Sequence, residues 1–240
     1  MHFAFGTAIH LAIDNIYEQM DATSFWDLAE VSIAKKQFTN NFKLEHVDSF
    51  NWKGEPISEE ERLEIFNDML ADGLAIVTEY WNAKEELFTK GVQPDKFEIA
   101  HKYIPKHLVS ETPWEIPLSL RIDAQSSNKR IHEFKTSSKR YDETETRHSL
   151  QALSYAFTQY QQTGEIVPLD YVVMLKKLKK NKIQHFTIEY DYQDMLAYQA
   201  EVDSIFERVK NREFSRPAKG HEMFCDCYKF EKLFDENIWY

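Results

Sequence analysis

Apolar residues recur along the chain at two periods, and the switches between them outline the elements. In FGTAIHLAIDNIYEQM (5–20), Ile9, Ile13 and Ile16 form one stripe at spacings of three and four, with His10, Asp14 and Tyr17 on a neighbouring stripe. That spacing predicts an amphipathic helix entered through Gly6 and Thr7. A polar break follows from about Thr39 to Glu55. SEEERLEIFNDMLADGLAIVTEYWNAK then predicts a long helix: Ser58 and Glu61 have the form of a capping box, and the apolar spacing continues past Trp81. After GVQPD the period falls to two. FEIAHKYIP (97–105), IPLSLRIDA (116–124) and KRIHEFKTSS (129–138) read as strands, the last two joined by the turn QSSN.

The helical period returns in ETRHSLQALSYAFTQYQQTG (145–164), which ends at Gly164. Leu150, Leu153, Phe157 and Tyr160 form its expected core stripe, with His148, Gln151 and Tyr155 on another. LDYVVMLKKLKKNKIQHFTIEY predicts two more strands around a basic turn, and YQDMLAYQAEVDSIFERVKN a final long helix before a cysteine-bearing tail. No internal repeat and no low-complexity segment interrupts this order. It predicts an α/β chain, a mixed α+β sheet flanked by helices. We expect one domain over 1–240, with a helical insertion at about 20–95, a core at about 96–190, and a C-terminal helix and tail at 191–240.

Composition narrows the class. The 240 residues are 42% apolar and 29% charged, a globular balance with enough chain to bury a sizeable core. No run approaches the roughly 18 consecutive apolar residues of a membrane-spanning helix. The N-terminus lacks a Lys/Arg-rich start, and His10 and Asp14 interrupt its apolar stretch. The expectation is therefore a cytoplasmic protein with no secretory leader and no membrane partner. Two cysteines, Cys225 and Cys227, make no disulfide framework.

The net charge of −11 argues at first against nucleic acid, but it is unevenly spread. Residues 121–182 carry 12 Lys/Arg against 7 Asp/Glu, and the remainder 17 against 33. Phosphate binding needs a local basic surface rather than a basic protein. Lys176, Lys177, Lys179 and Lys180 in KKLKKNK (176–182) supply one, although a solvated turn accounts for the same residues.

Candidate chemistry concentrates in RIDAQSSNKRIHEFKT (121–136). Strand alternation puts Glu133 and Lys135 on one face and His132 and Phe134 on the other. On the preceding strand Arg121 and Asp123 oppose Leu118, Leu120 and Ile122. The short turn brings Asp123 towards Glu133 and Lys135. Two carboxylates and the Phe134 backbone carbonyl form a hard oxygen set suited to Mg²⁺ or Mn²⁺. Such an ion polarises a phosphate, and a neighbouring lysine orients the attacking water. A surface hairpin with cross-strand ion pairs is the plainer reading of the same residues.

The order of these motifs resembles the PD-(D/E)xK nuclease superfamily, specifically its RecB-like exonuclease branch, which includes phage recombination and CRISPR-adaptation nucleases. The pattern is Gly6-Thr7-x-x-His10 on the first helix, Asp123 and then Glu133-x-Lys135-Thr136 on a strand pair, and Gln151-x-x-x-Tyr155 on the next helix. The likeness runs from about residue 3 to about residue 230 and implies a restriction-endonuclease-like core. It implies His10, Asp123, Glu133 and the Phe134 carbonyl as metal ligands, and Lys135 as the residue that positions water. Gln151 and Tyr155 would hold DNA or the lysine, His148 would line the groove or sit in solvent, and Glu98 would be an accessory acid. DNA is the implied partner, with a helicase or an annealing protein as companion.

Some features depart from that pattern. Many relatives hold an iron–sulfur cluster on four cysteines, one of them before the His motif. Here the given sequence begins almost at that motif, and the family's preceding helix is absent from it or reduced to two residues, as in a naturally short form or an incomplete one. Cys225 and Cys227, even with His221, are too few for a cluster or a closed zinc site. Leu120 stands where relatives often have glycine. The reading is a Mg²⁺- or Mn²⁺-dependent deoxyribonuclease, an exonuclease on linear DNA in recombination, repair or phage replication. A CRISPR-adaptation-type nuclease, a non-catalytic DNA-binding module with the same fold and a protein-interaction module are the alternatives. Polarity, strand preference and oligomeric state are not encoded in any motif.

Overall fold

The computed structural model describes residues 2–23, 30–48, 56–87 and 94–213. Helix α1 (His2–Thr23) is followed by α2 (Val31–Asn41), a 3₁₀ turn (Leu44–His46) and the long α3 (Glu59–Leu87). Strands β1 (Lys96–Tyr103), β2 (Leu118–Gln125) and β3 (Ile131–Ser137) come next. Helices α4 (Glu143–Arg147) and α5 (Leu150–Thr163) cross to β4 (Leu169–Leu175) and β5 (Ile183–Ile188), and α6 (Tyr192–Lys210) closes the described chain. The protein is α+β: one five-stranded mixed sheet in the order β1-β2-β3-β4-β5, flanked by helices. Only β3 and β4 run parallel, which requires the α4–α5 crossover between them.

Each sheet face has its own core. On the first, Ile9, Ile13 and Ile16 of α1 pack with Phe38, Phe42, Ile76 and Tyr80 against Ala124, Phe134, Val172 and Met174. On the second, Ala152, Tyr155 and Phe157 of α5 and Met195 and Tyr198 of α6 cover Ile122, Tyr171 and Val173. Every residue of β4 is buried, the mark of a central strand covered on both faces. Two glycines permit the tight packing of the first face. A Cβ on Gly6 would sit 3.2 Å from Thr136 Oγ1, and one on Gly73 would fall 2.1 Å from the Phe38 ring. Ser58 Oγ accepts from the Glu61 N–H, half of the expected capping box.

Four expectations need correction. Thr39 to Asn41, read as part of a polar break, complete α2, because Ala34 and Phe38 bury one face of a polar helix. The single helix over 145–164 is two: Ser149 caps α5 by accepting from Ala152, and the chain turns at His148. The core stripe of α5 is displaced, since Leu150 is 50% exposed while Tyr155 is 2% exposed. The basic turn is docked rather than free. Lys182 pairs with Asp72 of α3 and is buried, and the Lys177 N–H donates to Asp72 at 2.8 Å.

Candidate metal centre

The centre forms where β2 and β3 part. These strands pair only at Ala124↔His132 and Gln125↔Ile131. One residue further, Asp123 Oδ2 accepts the Phe134 N–H at 2.9 Å, so a side chain takes the place of a ladder partner. On the other side, Glu98 of β1 stands opposite Asp123 with φ of 50°, a left-handed backbone inside a strand. That conformation is strained for a residue with a Cβ. It coincides with a change of face: Phe97 and Ala124 pack in the first core, Ile99 and Ile122 in the second.

The opening lets residues from both faces meet. His10 reaches in from α1, its ring edge-on to Phe134 at 6.1 Å. Among the described residues, His10, Glu98 and Asp123 each present a ligand atom, all within 4.8 Å of one another. Burial lowers the His10 pKa, against the opposing pull of Asp123 and Glu98, and favours the neutral imidazole that a cation requires.

From the α5 face comes a linked polar row. Lys135 Nζ lies 2.5 Å from both Glu133 Oε1 and Gln151 Oε1, and Gln151 Nε2 donates to the Tyr155 hydroxyl at 2.7 Å. Glu133 is fully buried, and neither of its oxygens receives a hydrogen bond of normal geometry despite the short ion pair. Burial, then the Asp123 carboxylate, pushes its pKa up to about 8 against the pull of Lys135. The Tyr155 hydroxyl is shifted upward by burial and by Glu133 and Asp123, so it stays protonated. An under-satisfied buried carboxylate is costly unless something cationic completes it.

Asp14 is the residue that the sequence pattern did not single out for function. It follows His10 by one helical turn, and burial together with Glu98 and Asp123 raises its pKa to about 8. The i+4 spacing was the available signal. Arg121 also belongs here, paired with Glu98 at 2.9 Å. The tight trio contains Glu98, expected only as an accessory acid, while Glu133 is held by Lys135 beside it. His148 is exposed, with Nδ1 2.9 Å from the Thr144 carbonyl. Lys176 is buried with its ammonium 5.8 Å from the Phe5 ring centroid, and burial lowers its pKa. The expected set of four DNA-facing lysines therefore narrows to Lys177, Lys179 and Lys180, which are exposed. His221, Cys225 and Cys227 lie outside the described residues.

The donor set fits a divalent cation: carboxylate oxygens and one imidazole, with the buried Glu133 and the half-buried Asp14 nearby at raised pKa. No family model and no curated protein matches the chain. Among solved structures it is similar to a proposed exonuclease from Eubacterium rectale, with TM-score 0.42, 14% identity, and coverage of 88% of this chain and 76% of that one. It is also similar to SSO0001, with TM-score 0.38, 12% identity, and coverage of 71% and 75%. Among the described residues no helix is long and apolar enough to cross a membrane. Fold and centre together give an α+β protein with a carboxylate–imidazole cluster compatible with a divalent cation.

Proposed function

We propose that this chain is a metal-dependent deoxyribonuclease of the PD-(D/E)xK type, in the RecB-like branch, acting as an exonuclease on linear DNA. The observation that carries the reading is the gap between β2 and β3. There His10, Glu98 and Asp123 converge beside a buried, under-satisfied Glu133 tied to Lys135. A plain hairpin with surface ion pairs does not bury an acid in that state.

His10, Asp123, Glu133 and the Phe134 carbonyl would hold Mg²⁺ or Mn²⁺, with Glu98 adding negative charge beside them. When bound, such an ion polarises the phosphate and makes water a better nucleophile. Lys135 orients the attacking water and balances charge on the phosphate. Gln151 and Tyr155 hold the lysine in place through the hydrogen-bonded row. The basic turn adjoins the same end of the sheet, since the Lys176 N–H donates to the Ser137 carbonyl two residues beyond Lys135. Lys177, Lys179 and Lys180 would contact the DNA backbone there. Recombination, repair or phage replication is the setting, in the cytoplasm, with a helicase or annealing protein as companion.

The test is digestion of end-labelled linear and covalently closed circular DNA, single- and double-stranded, in Mn²⁺, Mg²⁺ or EDTA. Metal-dependent loss of linear DNA alone, abolished in Lys135→Ala, is the expected result. Cutting of circles would make the enzyme an endonuclease. A folded chain that binds the metal and DNA without cutting either would be a DNA-binding module instead.

A further inference from the structure

A second concavity lies at the far end of β1 and β2, between the connecting segment 104–117 and the last turns of α6. It encloses about 390 Å³, within the range of ligand-binding pockets. Its floor is aromatic. Trp114 stacks on Phe157 at 5.4 Å and meets Phe206 edge-on at 5.7 Å. Trp114 is 4% exposed, and its buried indole N–H finds no acceptor among the described residues. A buried donor without an acceptor is uncommon and leaves one polar demand unmet in this floor.

The walls are preformed. Within the connecting segment, the Trp114 N–H donates to the Pro105 carbonyl and the His107 N–H to the Thr112 carbonyl, both at 2.8 Å. The segment is fixed to its neighbours as well, the Leu108 N–H donating to Gln199 of α6 and the Lys106 N–H to Gln161 of α5. The rim carries two large apolar side chains left in solvent, Ile116 at 46% and Val209 at 51% exposure. Around them stand three carboxylates, Glu115, Asp203 and Glu207. Lys210 lies 2.9 Å from Glu115 and 3.1 Å from Glu207, and His107 is 3.6 Å from Asp203. One lysine does not neutralise three acids, so the rim is negative.

We propose that this pocket docks a segment of a partner protein in which an aromatic or branched apolar side chain is flanked by lysine or arginine. The apolar side chain fills the space over Trp114 and Phe206. The flanking cations meet Glu115, Asp203 and Glu207. A peptide satisfies both demands together, whereas a simple amine answers only one of the spread carboxylates. The site is separate from the metal centre, five residues along β1 from Glu98 to Tyr103, about 16 Å of strand.

The experiment uses the full chain and an N-acetylated, C-amidated pentapeptide Lys-Arg-Phe-Arg-Lys, titrated by calorimetry. Saturable one-to-one binding is expected. Replacing the peptide's phenylalanine with glycine, or Glu207→Lys in the protein, weakens it by about tenfold or more. Because Glu207 lies on the surface, Glu207→Lys keeps the fold, and cleavage of free DNA stays at the wild-type rate. Three results overturn the proposal: no saturable binding, equal binding of the glycine peptide, or affinity unchanged in Glu207→Lys. Self-association of the chain that Glu207→Lys abolishes, without peptide binding, also overturns it and makes a second copy the occupant.

Discussion

Glu133 and Asp170 lie on adjacent strands of one sheet, on opposite faces, and are 0% and 1% exposed. Asp170 is fully answered. Arg130 forks onto it at 2.5 and 2.8 Å, His185 Nε2 lies 2.8 Å away, and Thr187 donates at 3.0 Å. Burial alone would raise its pKa, yet the hydrogen bonds from His185 and Arg130 and the charge of His132 outweigh it and hold the group at about 2. Glu133 has one ion pair of poor alignment and rises to about 8. Equal burial thus gives opposite electrostatics. The partners decide whether a buried acid knits the fold or waits for a cation.

Substitution separates the two most sharply. Glu133→Gln is expected to lower DNA cleavage by about 10²–10³-fold or more, while thermal stability of the metal-free chain holds or rises. Asp170→Ala should cost about 3–5 kcal/mol, since Arg130 is left without its counter-ion. Urea unfolding of both variants checks this, and equal losses of stability would end the comparison.

Next in size is the pH dependence in EDTA. Glu133 and Asp14 hold protons in the folded state up to about pH 8, whereas an unfolded carboxyl releases them near pH 4. The stability this confers is present below about pH 4 and is lost as pH rises towards 8. Melting temperature should therefore fall from pH 5 to pH 8, and the slope should flatten in the double variant Asp14→Asn, Glu133→Gln. Asp170 runs the other way: its contribution is present above about pH 4 and lost as pH falls through about 2. A metal-free chain whose melting temperature rises across pH 5 to 8 would contradict the state assigned to Glu133. The smallest effect is Thr187→Val, which removes one hydrogen bond to Asp170 and should cost about 1 kcal/mol without touching cleavage.

Much of the fold was legible because period and turn chemistry are local. The Ile9, Ile13 and Ile16 stripe is buried as read, and all five strands occur where apolar alternation or apolar runs placed them. Helix α2 escaped notice because its mean composition is polar and only Ala34 and Phe38 are buried. Leu150 was misplaced because the crossover bends at Ser149, which rotates the face that α5 presents. At the site, Asp123, Glu133 and Lys135 could be named from residue type and strand alternation, and His10, Gln151 and Tyr155 only through the family resemblance. Asp14, the rank of Glu98 and the burial of Lys176 could not, because each depends on which distant element lies beside it.

The sequence alone therefore determined the sheet-and-helix order, the acid–lysine pair on neighbouring strands and the local basic surface, all set by neighbours within a few residues. Tertiary structure decided that β2 and β3 part at Asp123 and that the Glu98 backbone turns left-handed opposite it. It also decided that, of two equally buried acids, Asp170 is neutralised and Glu133 is not. Those outcomes rest on groups far apart in the chain, such as Arg130 and Asp170 or His10 and Asp123. Only packing brings such groups close enough for charge and desolvation to act.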